Sequence, residues 1–127
     1  LKEYSKEFVV DYKETAKSVG SGDLEVLATP AMIAMVENTA KEYLHKELAP
    51  EESSVGTVVE AKHLRPSKVG ARITITVRIE SQEKTKINFS FTAVDQDQVV
   101  ATGTHQRAVI LTDVFLNKLS LAKSKDE

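Results

Sequence analysis

The segment Thr29-Pro30-Ala31-Met32-Ile33-Ala34-Met35-Val36 constrains the fold more than any other. A threonine suits a helix N-cap because its hydroxyl accepts from free backbone NH groups. A proline suits the first helical position because the NH it lacks would have no partner there. The spacing therefore predicts a helix from about Pro30 to Leu48. Its first two turns are apolar on every side, whereas Lys41, Glu42, Lys46 and Glu47 make the second half partly solvated. A helix apolar all round has to be enclosed by other structure, so the rest of the chain must wrap it.

The residues downstream have the right period to do so. After Pro50 to Ser53, Val55, Thr57, Val59, Ala61 and His63 alternate with Gly56, Val58, Glu60 and Lys62, the two-residue repeat of a strand. Ile73, Ile75, Val77 and Ile79 alternate with Thr74, Thr76, Arg78 and Glu80, the mark of a half-buried strand. Ile87, Phe89, Phe91 and Ala93 repeat the pattern, Asp95 to Gln98 turns the chain, and Val99 to Leu111 is a long last strand. Short connections imply antiparallel neighbours. Upstream, Phe8 to Thr15 reads as a first strand, ended by the turn chemistry of Ser18 to Asp23, and a short terminal helix is expected near Asp113 to Leu119. The fold class is α+β: one long central helix wrapped by an antiparallel sheet of about five strands, the hotdog arrangement. Two subunits of that fold commonly pair their sheets edge to edge, so a homodimer is expected from fold class, with higher oligomers left open.

Length and charge bound the rest. With 127 residues, 41% of them apolar, the chain makes one domain over residues 1–127 that hides roughly two thirds of its unfolded surface. Residues 121–127 are expected to be a frayed tail. The 17 basic and 19 acidic side chains nearly cancel, which argues against a nucleic-acid partner. The sequence has no cysteine, so disulfides, thiolate metal sites and cysteine nucleophiles are excluded. No apolar run reaches the roughly 18 to 20 residues that cross a bilayer, and LKEYSKEF lacks the apolar core of a signal peptide. A cytoplasmic protein without a membrane partner is expected.

Several residues carry chemistry. Glu37 lies on the enclosed helix at the edge of the apolar stripe, with Ile33, Leu44 and Lys41 as wheel neighbours. It is either a border carboxylate paired with Lys41 or a carboxylate held in a drier site and tuned by its neighbours. His63 closes a strand and is either a surface residue or an imidazole aimed at a site. Gly56 marks a bulge or a place where a ligand meets bare backbone. Capping alone accounts for Thr29, although its hydroxyl also lies at the positive end of the helix. His105 and Arg107 interrupt the last strand, and periodicity does not choose between solvent and cleft, because a bulge would swap the faces. Arg72 and Arg78 fall on the polar face as solvating charges. The three histidines have no metal-ligand spacing, and no Ser/His/Asp triad, nucleophile elbow or phosphate-cradling loop is present.

Taken together, ATPAMIAMVENTA at the helix, SSVGTVVEAKH in the second strand and GTHQRAVI in the last resemble the fluoroacetyl-CoA thioesterase family of hotdog enzymes. The resemblance covers nearly the whole chain and rests on the joint spacing of the three segments. It implies an acyl-CoA thioester hydrolase whose catalytic threonine, glutamate and histidine are Thr29, Glu37 and His63. It also implies Gly56 as the backbone beside the thioester carbonyl and Arg107 as the site arginine, with coenzyme A as part of the substrate and neither metal nor other cofactor. The departure is upstream of Thr29, where the fluoroacetyl-specific enzyme gates its site with aromatic residues. Ser18-Val19-Gly20-Ser21-Gly22-Asp23 has none, so a different small or medium acyl group is expected.

Thioester chemistry suits such a residue set. The leaving thiolate has a conjugate acid of pKa about 8.5, if it resembles cysteine, so the demand falls on activating the attacking group and holding the oxyanion. Glu37 then serves as base or nucleophile and His63 assists proton transfer. Arg65, Lys68, Lys84 and Lys86, at turns, are candidates for the coenzyme A phosphates. Two other classes fit the same fold: a module that binds acyl-CoA or an apolar ligand without turnover, and a dehydratase acting on a 3-hydroxyacyl chain. Release of free thiol separates the hydrolase from both.

Overall fold

The computed structural model of the chain describes residues 3–126, with side chains through residue 121. In order it contains β1 (Glu3–Val9), a 3-10 turn (Tyr12–Glu14), α1 (Ala16–Val19), α2 (Thr29–His45), β2 (Glu52–His63), β3 (Arg72–Glu83), β4 (Lys86–Asp95), β5 (Gln98–Leu111) and α3 (Thr112–Asp126). The five strands form one antiparallel sheet in the order β1-β3-β4-β5-β2. The long helix and the four strands after it are where the periodicity puts them, and a terminal helix follows as expected.

Three expectations need correction. The first strand lies earlier than Phe8 to Thr15: Glu3 to Val9 alternates in burial, and Asp11 then caps the 3-10 turn through the NH of Lys13. Its inward residues Tyr4 and Lys6 reach the polar half of α2, where Tyr4 and Lys6 both bond Glu42 and Lys6 also bonds Asn38 at 2.7 Å. The strand is therefore only half apolar on its helix side, which hides it from a search for hydrophobic runs. Ser18 to Asp23 is not wholly loop, because α1 occupies its start and Gly20 closes that turn at φ +91°. α3 extends well past Leu119 to Asp126; the side chains of residues 122–127, most of the expected frayed tail, lie outside the described residues.

The core lies between α2 and the inner face of the sheet. Met32, Val36 and Ala40 of α2 are fully buried against Ile73, Ile75 and Val77 of β3 and Phe89 and Ala93 of β4. The loop Gln96-Asp97 takes positive φ at both residues, the two-residue geometry that matches strand twist. Arg72 and Arg78 pair with Glu7 and Glu3 on the outer face, as solvated charges should. No helix of the described residues is long and apolar enough to cross a membrane.

β2 positions the site. Its register against β5 shifts between Gly56 and Val58, so one residue is extra and the inward set changes phase. Gly56 lies opposite Arg107, Val59 opposite His105 and His63 opposite the buried Ala101. Gly56 therefore shares the inner face with Val59, Ala61 and His63 instead of the opposite face that strict alternation assigns to it. The other edge of β2 has no strand partner among the described residues.

Candidate active site

The sequence candidates gather into two clusters at the two ends of β2. At the far end, Thr29 Oγ1 lies 2.8 Å from His63 Nδ1. Thr29 is not the helix cap: Ala28 holds that position and makes no side-chain capping bond. The threonine is instead the first helical residue, with its hydroxyl aimed across to the strand. His63 Nε2 is buried and has no hydrogen-bond partner, and burial holds the imidazole pKa below its ordinary value. A neutral ring with one nitrogen fixed and the other without a partner has the chemistry to give or take a proton. The pair lines a cleft of about 280 Å³ with Leu27, Leu64, Arg65 and Pro66.

The near end holds the other three candidates. A Cβ placed on Gly56 would collide with Glu37 Oε2 and would sit 3.3 Å from His105 Cε1 and 3.4 Å from Arg107 Nη1. Only glycine leaves the carboxylate room where it stands. Arg107 is 5% exposed. It donates from Nε to Ser54 Oγ (2.9 Å) and from Nη2 to the Ser54 carbonyl (3.0 Å), and Nη1 lies 3.7 Å from Glu37 Oε2. The partner of Glu37 is thus this buried arginine and not Lys41. Burial lowers the Arg107 pKa and the charge of Glu37 raises it again; the guanidinium stays a cation, as arginine does in proteins.

Within one chain Glu37 and His63 do not share a pocket. Glu37 does not line the cleft of Thr29 and His63. Eight helical residues separate Thr29 from Glu37 by a rise of about 12 Å, and β2 carries Gly56 and His63 roughly 20 Å apart. Of the candidate phosphate contacts, Arg65 borders the cleft, whereas Lys68 and Lys84 border other hollows.

One residue of the near cluster, Ser54, is not singled out by the sequence, where it shows only as part of a segment that lacks the nucleophile elbow. His105 stands there beside Arg107 with solvent and cleft both open, and the structure puts both in the cluster. A signal exists in the pairing: once β2 and β5 are in register, a serine and a glycine face the one inner stretch of β5 that carries a histidine and an arginine.

Comparison with known proteins supplies the family. The family model described as fluoroacetyl-CoA-specific thioesterase matches residues 10–113. A fluoroacetyl-CoA thioesterase from Streptantibioticus cattleyicolor is 30% identical over 95 residues, which are 75% of this chain and 68% of that protein. A point mutant of the fluoroacetyl-CoA-specific thioesterase FlK superposes with a TM-score of 0.89 at 26% identity, covering 95% of this chain and 94% of that one. A hot-dog-like protein from Thermanaerovibrio acidaminovorans does so with a TM-score of 0.87 at 27% identity, covering 95% and 90%. The family match spans α2, both clusters and every strand from β2 to β5, and the chain belongs to the fluoroacetyl-CoA-specific thioesterase family of hotdog-fold thioester hydrolases.

Proposed function

We propose that the protein hydrolyses the thioester of a small or medium acyl-CoA as a homodimer, each active site being completed by both subunits. The observation that carries this reading is the division of the candidates between the two ends of one edge strand. Thr29 and His63 stand at one end and Glu37, Gly56 and Arg107 at the other, and the bulge puts Gly56 on the same face of β2 as His63, toward α2, which carries Thr29 and Glu37. A two-fold axis near the middle of β2 would set the Gly56 end of one strand against the His63 end of its copy, with the inner faces of both sheets on the same side. The twelve-residue edge of β2, apolar at Val58 and Val59, is the long unpaired edge that such pairing would cover. β1, the other edge, is shorter and carries Glu3, Lys6 and Glu7.

In the assembled site, Glu37 acts as base or nucleophile on the thioester carbonyl and His63 of the partner subunit moves the proton. The bare backbone at Gly56 leaves space for the carbonyl, and Arg107 supplies positive charge beside the developing oxyanion. Water adds its oxygen to the carbonyl carbon, the C–S bond breaks, and a proton reaches the coenzyme A sulfur. Side chains suffice for this, so the reading calls for no cofactor. Arg65 at the cleft rim is the cation we assign to a coenzyme A phosphate. The FlK structure solved with fluoroacetate and CoA, at 27% identity, a TM-score of 0.85 and coverage of 90% and 96% of the two chains, supports a CoA thioester as the substrate class. The lack of aromatic residues in Ser18 to Asp23 favours an acyl group other than fluoroacetyl.

The test is a thiol-release assay over acyl-CoAs of graded length, run with mixed dimers. Glu37→Gln and His63→Ala each lose activity alone. When the two are unfolded and reassembled together, each mixed dimer regains one intact site, and random pairing restores roughly one quarter of wild-type sites. No recovery would place both residues in one subunit's site, and wild-type turnover by either single variant would remove that residue from the chemistry.

A further inference from the structure

The proposed chemistry leaves one buried group without a task. His105 is 2% exposed, stands between the bulge and Arg107, and has both ring nitrogens engaged. Nδ1 lies 2.8 Å from the carbonyl oxygen of Val58, and Nε2 lies 3.2 Å from Arg107 Nη1. A carbonyl only accepts, so Nδ1 carries the hydrogen. A guanidinium only donates, so Nε2 is bare. The two partners leave one tautomer of a neutral ring.

We propose that His105 is a positioning residue that holds the Arg107 guanidinium back from Glu37, so that the carboxylate stays free to act on substrate. Three donors of Arg107 are tied down, two by Ser54 and one by His105. The Nη1 nitrogen, shared between the imidazole and the carboxylate, sits within hydrogen-bond distance of Nε2 but at 3.7 Å from Glu37 Oε2, beyond a hydrogen bond. A buried arginine beside a carboxylate ordinarily closes into a short, charge-assisted pair. Such a pair would take up the lone pairs that a base or nucleophile needs. Around Gly56 the Glu37 carboxylate meets Arg107 and His105 of β5 beside the bare backbone of β2. Burial keeps the imidazole pKa down, the Val58 bond opposes that, and the Arg107 charge reinforces it, so Nε2 remains an acceptor at neutral pH.

This rests on Glu37 being the acting carboxylate. The experiment compares His105→Leu, which can neither donate nor accept, with His105→Gln, whose amide can do both. In the leucine variant the guanidinium closes on Glu37. Turnover falls about tenfold or more and KM changes little. The glutamine variant recovers most of the rate. Equal losses in both variants would reduce His105 to packing and overturn the proposal, as would wild-type behaviour of His105→Leu. Should His105→Leu fail to fold, nitrogen NMR of the wild-type ring decides: a hydrogen on Nδ1 and a bare Nε2 at neutral pH are required, and a hydrogen on Nε2 there overturns the proposal. Full turnover by Glu37→Gln would instead sink the reading on which it rests.

Discussion

The Thr29 hydroxyl lies 2.8 Å from Nδ1 of His63, across the gap between the first turn of α2 and the end of β2. The hydroxyl can donate to that nitrogen or accept from it, so the bond fixes the ring plane in either tautomer. Because Ala28 is the N-cap and makes no side-chain bond, the threonine does little for the helix itself. Thr29→Val is therefore expected to lower turnover by roughly 10² while moving the melting temperature by no more than about 2 °C. Thr29→Ser should stay within a few-fold of wild type. A large loss of stability in the valine variant would show that the Thr29–His63 bond serves the fold and not turnover alone.

Gly56→Ala separates folding from function at the other cluster. The added methyl would overlap Glu37 Oε2, the end of a flexible side chain that is 41% exposed, so the carboxylate can swing away and the sheet need not shift. The variant is expected to fold with a near-native melt and to lose turnover by about 10², the cost of a misplaced reacting group. Circular dichroism and thiol release on one preparation check both halves, and an active Gly56→Ala would show that the carboxylate position is not critical.

The strands that carry no chemistry are the most legible in the sequence. Ile73, Ile75, Val77, Ile87, Phe89, Phe91 and Ala93 alternate cleanly because one face of β3 and β4 meets the helix side of the sheet and the other its outer side. The bulge in β2 is half legible: Gly56 offers it as one of two readings and the register shift between Gly56 and Val58 bears that reading out, but Val55-Gly56-Thr57-Val58-Val59 reads equally well in either phase, and a single inserted residue moves Gly56 from one face to the other. For the same reason the inward turn of His105 and Arg107 shows only in the folded sheet. The gap between Glu37 and His63 is hidden differently: helix rise and strand length do place them apart, but the motif spacing that singles both out is indifferent to whether one subunit or two bring them together.

Histidine burial gives a sign to the pH dependence of stability. His63 and His105 both have pKa values lowered by burial, whereas the unfolded chain titrates near about 6.5. Just below that pH the unfolded state binds more protons than the native state, so stability rises with pH there. Their contribution is complete above about pH 6.5 and is lost as pH falls through the lower native values. Melting temperatures should be level from pH 8 to 7 and fall below that window, before the carboxylates titrate. Glu42, held down by its bond from Lys6, adds its loss only in the acid range. Replacing His105 by Gln should flatten the first fall, and an unchanged slope would mean that His105 is not neutral in the native protein.

Phe89 ties the core to the site. Its ring is 1% exposed and stacks on His105 with centroids 6.1 Å apart and planes at 23°, in direct register between β4 and β5. Phe89→Ala is expected to cost about 3 to 5 kcal/mol from the cavity alone, lowering the melting temperature by roughly 10 °C or more. It should also lower turnover at temperatures where the variant remains folded, because the imidazole loses the wall that keeps it on Val58 and Arg107. Ile73→Val is the control: Ile73 is equally buried but lies on β3, two strands away from β5. It should cost about 0.5 to 1.5 kcal/mol and leave kcat alone. Calorimetry with thiol release on both variants tests the coupling, and a Phe89→Ala protein that melts early yet turns over at the wild-type rate would show that His105 keeps its place without the ring.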